Sequence, residues 1–544
     1  MFCIEQIKLP LTYTEQDLTA MICKELRITE AELVSYEIVR RSLDARKKTE
    51  IHYSFLVDVT VRDERKISKQ LSKLKKISVS RDTKYEYRIT GLQKMQHRPI
   101  VVGAGPAGLF CAYALAKCGY RPVLIERGDT IENRTTKVER FWKDNSLDVE
   151  SNVQFGEGGA GTYSDGKLNT MVKDTAGRIK EVLHTFVDFG APPEIAYINK
   201  PHIGTDKLRT VIKNMREEIE RLGGTCLFRT KLTGILITED NAIAEQNVCK
   251  SSLQAVILND NETIACDTLI LALGHSARDS FEMLYKTGIR MEKKAFAVGV
   301  RVEHPQSMIN ESQYGAMKEL LPAADYKLTH TTRDGRGVYS FCMCPGGFVV
   351  NASSEEGRLA INGMSNYDRS ERNANSAIIV AVRPEDFSYY GTTDDTPLAG
   401  VEFQRKLEEA AFCCGKGLIP AQLYEDFKKN QKSTSFGEIL PNTKGENTLA
   451  NLRECLPEFI TESVMESFPE FAKRIPGFDR PDTVIEAVES RTSSPLRILR
   501  DENLEANVSG IYPCGEGAGY AGGIVSAAAD GLRVFEAIIK KYCP

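Results

Sequence analysis

The sequence predicts an α/β protein. Its main domain is built on a parallel sheet and contains a large insertion, and a small, separate α+β domain stands at the N-terminus. Three observations favour this class. Residues 99–117 read as an apolar strand, a glycine-rich turn and a helix, and residues 508–538 contain a second glycine-rich strand-to-helix segment. Residues 1–95 differ from both and carry 19 Lys and Arg against 14 Asp and Glu, although the whole chain has a net charge of −4.

The composition excludes several classes of protein. The chain has 544 residues, 42% of them hydrophobic, and starts without a basic segment followed by an apolar core. No run of about eighteen apolar residues occurs, so we expect a cytoplasmic protein without membrane contact. The 14 cysteines include no CxxC pair and the 7 histidines no HExxH motif. We therefore expect thiols in a reducing compartment and no metal site.

The first 95 residues read in the order β-α-β-β-α-β, which is typical of a small ferredoxin-like sandwich. The first helix begins with a threonine and an aspartate three residues apart, as in a capping box. A domain boundary is expected at residues 93–98. The predicted strands and helices are, in order, Phe2–Leu9, Thr14–Leu26, Ser35–Ser42, His52–Val61, Glu64–Leu74 and Tyr85–Ile89.

Ten basic residues of this first domain could form a patch for RNA or for an acidic protein partner. No aromatic RNP-type motif accompanies them, and most such runs are solvated faces, so nucleic-acid binding is the less favoured alternative. The ten residues are Arg40, Arg41, Arg46, Lys47, Lys48, Lys66, Lys69, Lys73, Lys75 and Lys76.

The segment PIVVGAGPAGLFCAYALAKCGYRPVLIERG, at residues 99–128, is typical of a dinucleotide-binding unit. Gly103 makes the tight turn after the first strand. Gly105 lets the backbone approach a pyrophosphate, and Gly108 lets the helix pack on the strand. Glu126 ends the second strand, 23 residues after Gly103, and is expected to accept hydrogen bonds from the adenosine ribose.

Two distant segments favour FAD over NAD as the dinucleotide. ACDTLILALGH, at residues 265–275, resembles the strand-to-glycine element of two-dinucleotide-binding-domain flavoproteins. Residues 508–538 resemble their last strand and helix, although Glu516 stands where many relatives have aspartate. The N-terminus of that helix would stabilise negative charge on a reduced flavin. The expected cofactor contacts are Gly103, Gly105, Pro106, Ala107, Gly108, Glu126, Arg127, Gly158, Gly159, Lys167, Gly274, Gly515, Glu516, Gly522, Gly523 and Ile524.

A narrower resemblance rests on QFGEGGAGTYSDGKL (154–168), SFCMCPGG (340–347), VVNASSEEGRLAINGMS (349–365), FGEILPNT (436–443) and ESRTSSPLRILRD (489–501). Together these segments resemble the uncharacterised bacterial FAD-dependent dehydrogenases, also described as NAD(FAD)-utilising dehydrogenases, over nearly the whole chain. The resemblance implies a glutathione-reductase-like FAD domain with an inserted α+β substrate domain, and it implies no particular substrate.

This reading divides the chain into an N-terminal domain (1–95), a first part of the FAD domain (96–280), an inserted substrate domain (281–481) and a C-terminal part of the FAD domain (482–544). The sequence contains neither the CxxC disulfide motif of glutathione reductase nor a second strand–glycine–helix unit for NADPH. NADH or NADPH as a transient electron donor therefore remains one possibility, and an unrelated reductant is another.

Several residues are candidates for catalysis in the insertion. Cys342 and Cys344 precede a Pro-Gly-Gly turn and could act as redox thiols or as an acid, although buried structural thiols are commoner. His304 could donate a proton, although a single histidine after a strand is usually structural.

Other candidates carry charge. Arg491 and Arg497 suit an anionic substrate or the cofactor, with Ser493 and Ser494 as added donors, or they tie the insertion to the FAD domain through carbonyl groups. Asp165 and Lys167, in the glycine-rich loop, could face the cofactor or the active site.

We therefore expect an FAD-dependent oxidoreductase that transfers hydride between flavin and a small organic substrate. Two alternatives remain open: a flavin-dependent RNA-modifying enzyme anchored by residues 1–95, and a flavin-binding sensor or scaffold whose N-terminal domain recruits a protein partner.

Overall fold

The structure is a computed structural model that describes residues 1–69, 71, 74, 76–80, 84–239, 251–391 and 395–544. Lys73 and Lys75 of the predicted basic set lie outside these residues. The elements of the N-terminal region are β1 (Phe2–Leu9), α1 (Glu15–Leu26), β2 (Leu33–Asp44), β3 (His52–Val61), α2 (Glu64–Ser68) and β4 (Ile77–Val79).

These four strands form one antiparallel sheet in the order β2-β3-β1-β4. Its core contains the alternate apolar residues of β1 and β3 and the apolar face of α1, for example Ile4, Val57 and Ile22. The capping box is confirmed, because Thr14 and Asp17 exchange backbone-to-side-chain hydrogen bonds of 2.8 and 3.2 Å. The second helix ends at Ser68, earlier than the pattern predicted.

The predicted strand Tyr85–Ile89 is wrong, and the fourth strand of the sheet is β4 instead. Tyr85 donates a hydrogen bond to Glu536 (3.0 Å) and Tyr87 donates one to Glu181 (2.6 Å). Because both tyrosines are anchored to helices far along the chain, this segment lies against the next part of the protein and pairs with no strand among the described residues. Aromatic β propensity was outweighed by these contacts.

The next region contains many short strands, with helices between them. Its elements are β5 (Gln93–Lys94), β6 (Ile100–Val102), α3 (Pro106–Lys117), β7 (Val123–Ile125), α4 (Ile131–Asp144), α5 (Arg178–Asp188), α6 (Thr205–Arg221), β8 (Thr225–Leu227), β9 (Leu232–Glu239), β10 (Ser251–Leu258), β11 (Glu262–Ala265), β12 (Leu269–Leu271), α7 (Arg278–Lys286) and β13 (Met291–Lys293).

A second region follows, and the chain then returns to the first. The elements are β14 (Phe296–Pro305), α8 (Gln306–Tyr314), β15 (Thr329–Thr331), β16 (Gly337–Cys344), β17 (Phe348–Asn351), β18 (Ile361–Met364), β19 (Asn373–Val382), α9 (Ala399–Gly415), β20 (Ile419–Leu423), α10 (Tyr424–Lys428), β21 (Thr443–Lys444), β22 (Asn447–Leu449), α11 (Glu458–Ala472), β23 (Val484–Glu489), β24 (Leu496–Ile498), β25 (Ile511–Pro513), α12 (Ile524–Lys541) and β26 (Tyr542–Cys543).

A parallel five-stranded sheet, β25-β12-β6-β7-β8, joins the two ends of the chain in a Rossmann-type α/β fold. Helices α3 and α12 pack on each other beside it, and a Cβ atom at Gly531 would lie 2.2 Å from the carbonyl oxygen of Ala107. A glycine is needed there for the close approach. The exact domain boundaries remain predictions.

The intervening region is built on a seven-stranded sheet in the order β15-β16-β19-β14-β23-β20-β22. Helix α11 packs on one face of this sheet, where Val300 of β14 and Phe468 of α11 belong to the same apolar core. Because side chains alternate along β14, Arg301 and Glu303 lie on the opposite face, against the small sheet β18-β17-β21. This buried polar face runs toward the cavity described below. None of the described helices has the length and apolar character that crossing a bilayer requires.

Candidate functional site

A cavity of about 360 Å³ lies at the carboxyl ends of the parallel strands and extends to the seven-stranded sheet. This volume falls within the range of small-molecule sites. One end is lined by the turn after β6, the end of β7 and the start of α12. The other end is lined by Lys167, Phe341, Cys342, Asn362 and Glu489. The cavity therefore joins the first and last parts of the chain with the intervening region.

The glycine-rich turn after β6 has the geometry that its sequence predicted. Gly103 has a φ of +103°, and a Cβ atom there would lie 2.2 Å from the Ala272 carbonyl oxygen. At Gly108 the same atom would lie 1.8 Å from the Gly103 carbonyl oxygen. Helix α3 begins at Pro106 with Gly105 as its N-cap, so its first turn faces the cavity with unpaired N–H groups.

Four glycines on the cavity wall have a different reason to lack a side chain. At Gly274 and Gly522 a Cβ atom would meet no protein atom within 4 Å, and at Gly105 and Gly523 the nearest would be 3.9 and 3.8 Å away. All four line the cavity. Protein packing therefore does not exclude side chains at these positions. The open space suits a ligand that approaches the backbone closely, and the residues fit an FAD molecule.

Glu126 lines the cavity but is already heavily engaged by the backbone. Its carboxylate accepts hydrogen bonds from the N–H groups of Ala104 (2.8 Å), Gly128 (2.9 Å) and Gly156 (2.9 Å). A carboxylate has about four acceptor positions, so one remains for a ribose hydroxyl. The residue thus organises the loops around the site as well as facing it.

Arg127 also lines the cavity, but its charge is satisfied by protein. Its guanidinium bonds Glu150 (2.7 Å) and Asp279 (2.9 and 3.0 Å) and lies 4.1 Å from the centre of the Phe155 ring. These contacts use three of the five N–H donors of the guanidinium, so two N–H groups and the planar face remain for a cofactor contact.

Arg134, which sequence reasoning missed, holds the glycine-rich loop in place. This buried guanidinium on α4 donates hydrogen bonds to five loop carbonyl groups. Nothing in the polar sequence of α4 distinguishes it from the other arginines. The five acceptors are the carbonyl oxygens of Asn152, Val153, Gly156, Glu157 and Gly159.

Three of the predicted cofactor contacts lie behind the cavity wall. Gly108 packs against the Gly103 backbone, and Gly158 packs against Thr162 and α6. Gly515 has a φ of +74° and adjoins Ala107. These three glycines are explained by protein packing, whereas Pro106, Ala107, Gly159 and Ile524 do line the cavity.

Glu516 lines the cavity and is partly buried. Burial raises the pKa of its carboxyl group from 4.5 to about 7, and the nearby Lys294 opposes this only in part. The carboxylate that fixes the adjoining turn is instead Asp530, which accepts from the Gly515 N–H (2.8 Å) and pairs with Arg500. An aspartate on the otherwise apolar face of α12 was the signal for this role.

At the other end of the cavity, Cys342 has a backbone φ of +42°, which is unusual for a residue with a side chain. The pairing of β16 with β19 shifts between Phe341 and Cys344, so a β-bulge directs Cys342 toward the cavity. A hydrogen bond from Cys344 lowers the pKa of the Cys342 thiol to about 6, with Lys167 and Arg301 contributing and burial opposing. Cys344 itself is buried behind the wall.

Lys167 and Asp165 both line this end of the cavity. Arg369 bonds both carboxylate oxygens of Asp165, and Lys167 Nζ lies 3.4 Å from one of them. Among the described residues, Lys167 Nζ is buried and has no hydrogen-bond partner. It is therefore a cation with N–H donors still to satisfy.

Arg491 lines the cavity, but its main partner is the buried Glu408, to which it donates at 2.9 and 2.8 Å. Arg278 bonds the same carboxylate (2.7 and 2.9 Å), so two arginines share Glu408. The Ser494 hydroxyl bonds the Gly517 carbonyl (3.0 Å). These contacts favour the structural reading of the segment; for Ser493 the structure gives no contact that indicates a role.

Two predicted catalytic residues lie away from the cavity, and these predictions are corrected. His304 is buried in the core, with Nε2 2.8 Å from the Phe478 carbonyl oxygen, and burial lowers its pKa to about 4. Arg497 pairs with Glu292 at 3.2 Å and lies over the Tyr520 ring. Neither reaches the cavity wall. A wall residue that sequence reasoning missed is His275, whose pKa burial lowers to about 3.

A parallel sheet with a glycine-walled cavity at its carboxyl edge defines the chain as a dinucleotide-binding protein of the Rossmann type. Residues 97–283 match the family described as pyridine nucleotide-disulphide oxidoreductase, and residues 295–492 match the family described as FAD-dependent protein, C-terminal domain-like. Residues 1–60 match a domain of unknown function. A protein of Clostridium beijerinckii, described as an uncharacterized protein, is 46% identical over 99% of this chain and 98% of its own length. The chain belongs to this family of FAD-dependent oxidoreductases.

Solved structures give weaker matches. Quinol fumarate reductase FrdA of E. coli has a TM-score of 0.35 and 12% identity, covering 82% of this chain and 70% of that chain. Glycerol-3-phosphate dehydrogenase from Bacillus halodurans, complexed with FAD, has a TM-score of 0.35 and 11% identity, covering 83% and 67%. Scores this low support no statement about substrate or reaction.

Proposed function

We propose that the protein transfers hydride between bound FAD and a small organic substrate that enters the end of the cavity lined by Lys167, Cys342 and Glu489. The observation that carries the proposal is one cavity with two different ends. At one end glycines leave open space for a ligand, and at the other end lie Lys167, Cys342 and Glu489. FAD supplies the hydride chemistry when bound. The residues of this chain hold the cofactor, orient the substrate and limit the access of water.

The four glycines with open space above their backbone, Gly105, Gly274, Gly522 and Gly523, support the placement of FAD in this cavity. Gly105 and Gly274 follow strands β6 and β12 of the first part of the chain, whereas Gly522 and Gly523 precede α12. A ligand that contacts all four would span both parts of the chain, as an extended dinucleotide does. The first turn of α12 would place N–H groups beside developing negative charge.

The finer domain organisation is part of the proposal. We assign the N-terminal unit to the ferredoxin-like class, because its strand order and antiparallel pairing follow the β-α-β-β-α-β arrangement. We assign the remainder to a glutathione-reductase-like FAD domain with the seven-stranded sheet as its substrate domain. Cytoplasmic location, and NADH or NADPH as donor, stay predictions from the sequence.

The two alternative functions gain no support from the comparisons. Of the predicted basic patch, Arg46, Lys66 and Lys76 each form an ion pair with an acidic neighbour of the same domain. Pairing lowers the positive charge available to phosphates. We therefore favour the enzyme over an RNA or protein partner of the N-terminal domain.

Anaerobic titration tests the proposed function. The purified protein with its flavin would be treated with NADH, with NADPH and with dithionite, and each reduced sample would be mixed with small organic electron acceptors. We expect bleaching of the flavin band and its return with one class of acceptor. A flavin that dithionite reduces, but that exchanges electrons with no organic donor or acceptor, would contradict hydride transfer and favour the sensor.

A further inference from the structure

The end of the cavity opposite α12 concentrates groups that stabilise a thiolate. The β-bulge in β16 and the positive φ of Cys342 (+42°) bring its side chain to the wall, where Phe341 and Asn362 are its neighbours on the lining. Left-handed backbone at a residue with a Cβ costs about 1 kcal/mol or more, and such strain concentrates at functional sites. The arrangement is therefore worth explaining chemically.

A fixed cation lies beneath the Cys342 backbone. Arg301 is fully buried, donates to both oxygens of Glu489 (3.0 Å each), and reaches the Cys342 carbonyl oxygen at 3.2 Å. Asn375 accepts a further bond at 2.7 Å. A Cβ atom at Gly363 would lie 2.1 Å from Arg301 Nη1, so only glycine leaves room for this guanidinium. Its position is thus set from several sides.

Two further groups act on the Cys342 sulfur. The Cys344 thiol donates a hydrogen bond to the Cys342 carbonyl oxygen (3.2 Å) and lowers the pKa of the Cys342 thiol. Burial raises the pKa of Cys344 well above the usual value, so it keeps its proton. Lys167, from the glycine-rich loop, contributes an ammonium group without a hydrogen-bond partner. The acidic groups facing the site are Glu489, paired with Arg301, Asp165, paired with Arg369 and 3.4 Å from Lys167 Nζ, and Glu516.

We propose that Cys342 is the thiolate nucleophile of this cavity and that it adds to the electrophilic carbon of conjugated carbonyl compounds, with Lys167 as the partner of the carbonyl oxygen. The inference rests on the proposed function only for the location of the substrate. The sulfur forms a bond to the β-carbon, the π pair moves toward the carbonyl oxygen, and the Lys167 ammonium supplies the proton. The step consumes no oxidant or reductant.

The chemistry of the two side chains selects this class of substrate. A thiolate is a soft nucleophile that adds readily to polarised carbon–carbon double bonds. The negative charge that then develops on oxygen is stabilised by a cationic donor already in place. Lys167 Nζ meets this need, because it lies 3.4 Å from Asp165 but makes no hydrogen bond. A buried ammonium group without hydrogen bonds gains most from such a ligand.

Labelling with acrylamide tests the proposal, because acrylamide is a small conjugated amide. The flavin-containing protein would be labelled from about pH 5 to about pH 9, and each cysteine would be followed by peptide mass spectrometry. We expect the rate at Cys342 to be half-maximal near the pKa of about 6, and at pH 6.5 to exceed that of the exposed Cys413 by about tenfold or more. An unlabelled Cys342, or a midpoint near about 8.5, overturns the proposal.

Variants of Lys167 separate its electrostatic role from a structural one. Because Lys167 Nζ makes no hydrogen bond, Lys167→Gln should fold, which circular dichroism verifies. We expect it to raise the Cys342 midpoint by about one pH unit and to slow labelling at pH 6.5 by about threefold. Lys167→Arg should restore most of the rate. An unchanged midpoint in Lys167→Gln would overturn the assignment.

A matched control is Lys231→Gln, which removes a positive charge from the other end of the same cavity, where Lys231 pairs with Asp279. We expect no change in Cys342 labelling. Labelling requires no turnover. An unlabelled Cys342 would therefore not contradict hydride transfer by the flavin, and a failed anaerobic titration would not contradict labelling of the Cys342 thiolate. The two proposals are therefore tested separately.

Discussion

Glu516 shows how burial changes the behaviour of a single residue. Its side chain is partly buried on the cavity wall without a hydrogen bond in the described part of the chain, and desolvation raises its pKa from 4.5 to about 7. The sequence resemblance indicates that many relatives have an aspartate at this position, and the side chain is expected to contact the cofactor as a carboxylate. Here the group is held substantially as the neutral acid around neutral pH.

The pH dependence of stability follows from this shift. The unfolded state loses the Glu516 proton near pH 4.5, and the folded state loses it near about pH 7. The free energy of unfolding therefore falls as pH rises from 4.5 to about 7, and this residue changes it no further at higher pH. We expect Glu516→Gln to gain stability over the native protein between those values, by up to about 3 kcal/mol. Urea unfolding of both proteins at a series of pH values measures the difference.

A difference that stays constant from acidic to neutral pH would contradict the assignment of a raised pKa to Glu516. Comparison of the two proteins is needed because Glu157 and Glu303 also have pKa values raised to about 7, chiefly by burial. These two groups titrate in both proteins, and their contribution cancels in the difference.

Residue motifs were the most predictable part of the site. The tight turn at Gly103 and the open space at Gly105 agree with the sequence, because turn geometry and ligand clearance leave a strong local signal; their contact with a cofactor stays a prediction. Arg134 and the Arg301–Glu489 pair left none, because a buried charge is recognised only once its distant partners are known. For the same reason His304 was misjudged: its partner, the Phe478 carbonyl, is far away in the sequence.

At the level of whole elements, the glycine-rich loop between α4 and α5 has little regular structure of its own. Its shape depends on one side chain of α4, because Arg134 satisfies five of its carbonyl groups. Buried carbonyl groups without partners are costly, so the loop and the helix form one structural unit.

Removal of this guanidinium should disrupt the loop. We expect Arg134→Met to lower the free energy of unfolding by about 3 kcal/mol or more, since several buried acceptors lose their donor together. The matched control is Arg140→Met on the same helix, which loses an exposed contact with Ser146 and should change stability by less than about 0.5 kcal/mol. Chemical denaturation measures both, and equal effects would refute the role assigned to Arg134.

Elements were predicted best where the periodicity was local. Strands β1 and β3 have the predicted bounds, and the first helix starts after its predicted cap. The segment Tyr85–Ile89 was misassigned, because its tyrosines bond Glu536 and Glu181 from later helices. The seven-stranded sheet could not be ordered from the sequence, since its neighbours come from distant segments.

At the scale of the whole molecule, the account depends on two ends of the chain forming one cofactor site. In the parallel sheet β12 pairs with β25 on one side and with β6 on the other, and Arg500 with Asp530 fixes the turn before α12. The intervening sheet then contributes the other end of the cavity. Neither end of the chain has a complete site alone, so the occupant should respond to changes in either part.

The most direct measurement is the FAD content of the native protein and of three glycine variants, by absorbance after size-exclusion chromatography. Gly105→Val and Gly522→Val place a side chain in the cavity from the first and last parts of the chain, where protein packing leaves open space. Gly337→Val is the control, because a Cβ atom there also meets nothing and lies off the cavity wall.

We expect one FAD per chain in the native protein and in Gly337→Val, and a loss of at least about tenfold in FAD affinity in each of the other two, with folding retained in all. Full FAD content in both Gly105→Val and Gly522→Val would contradict the account. So would a loss confined to one of them, because a single site built from both ends of the chain requires both positions.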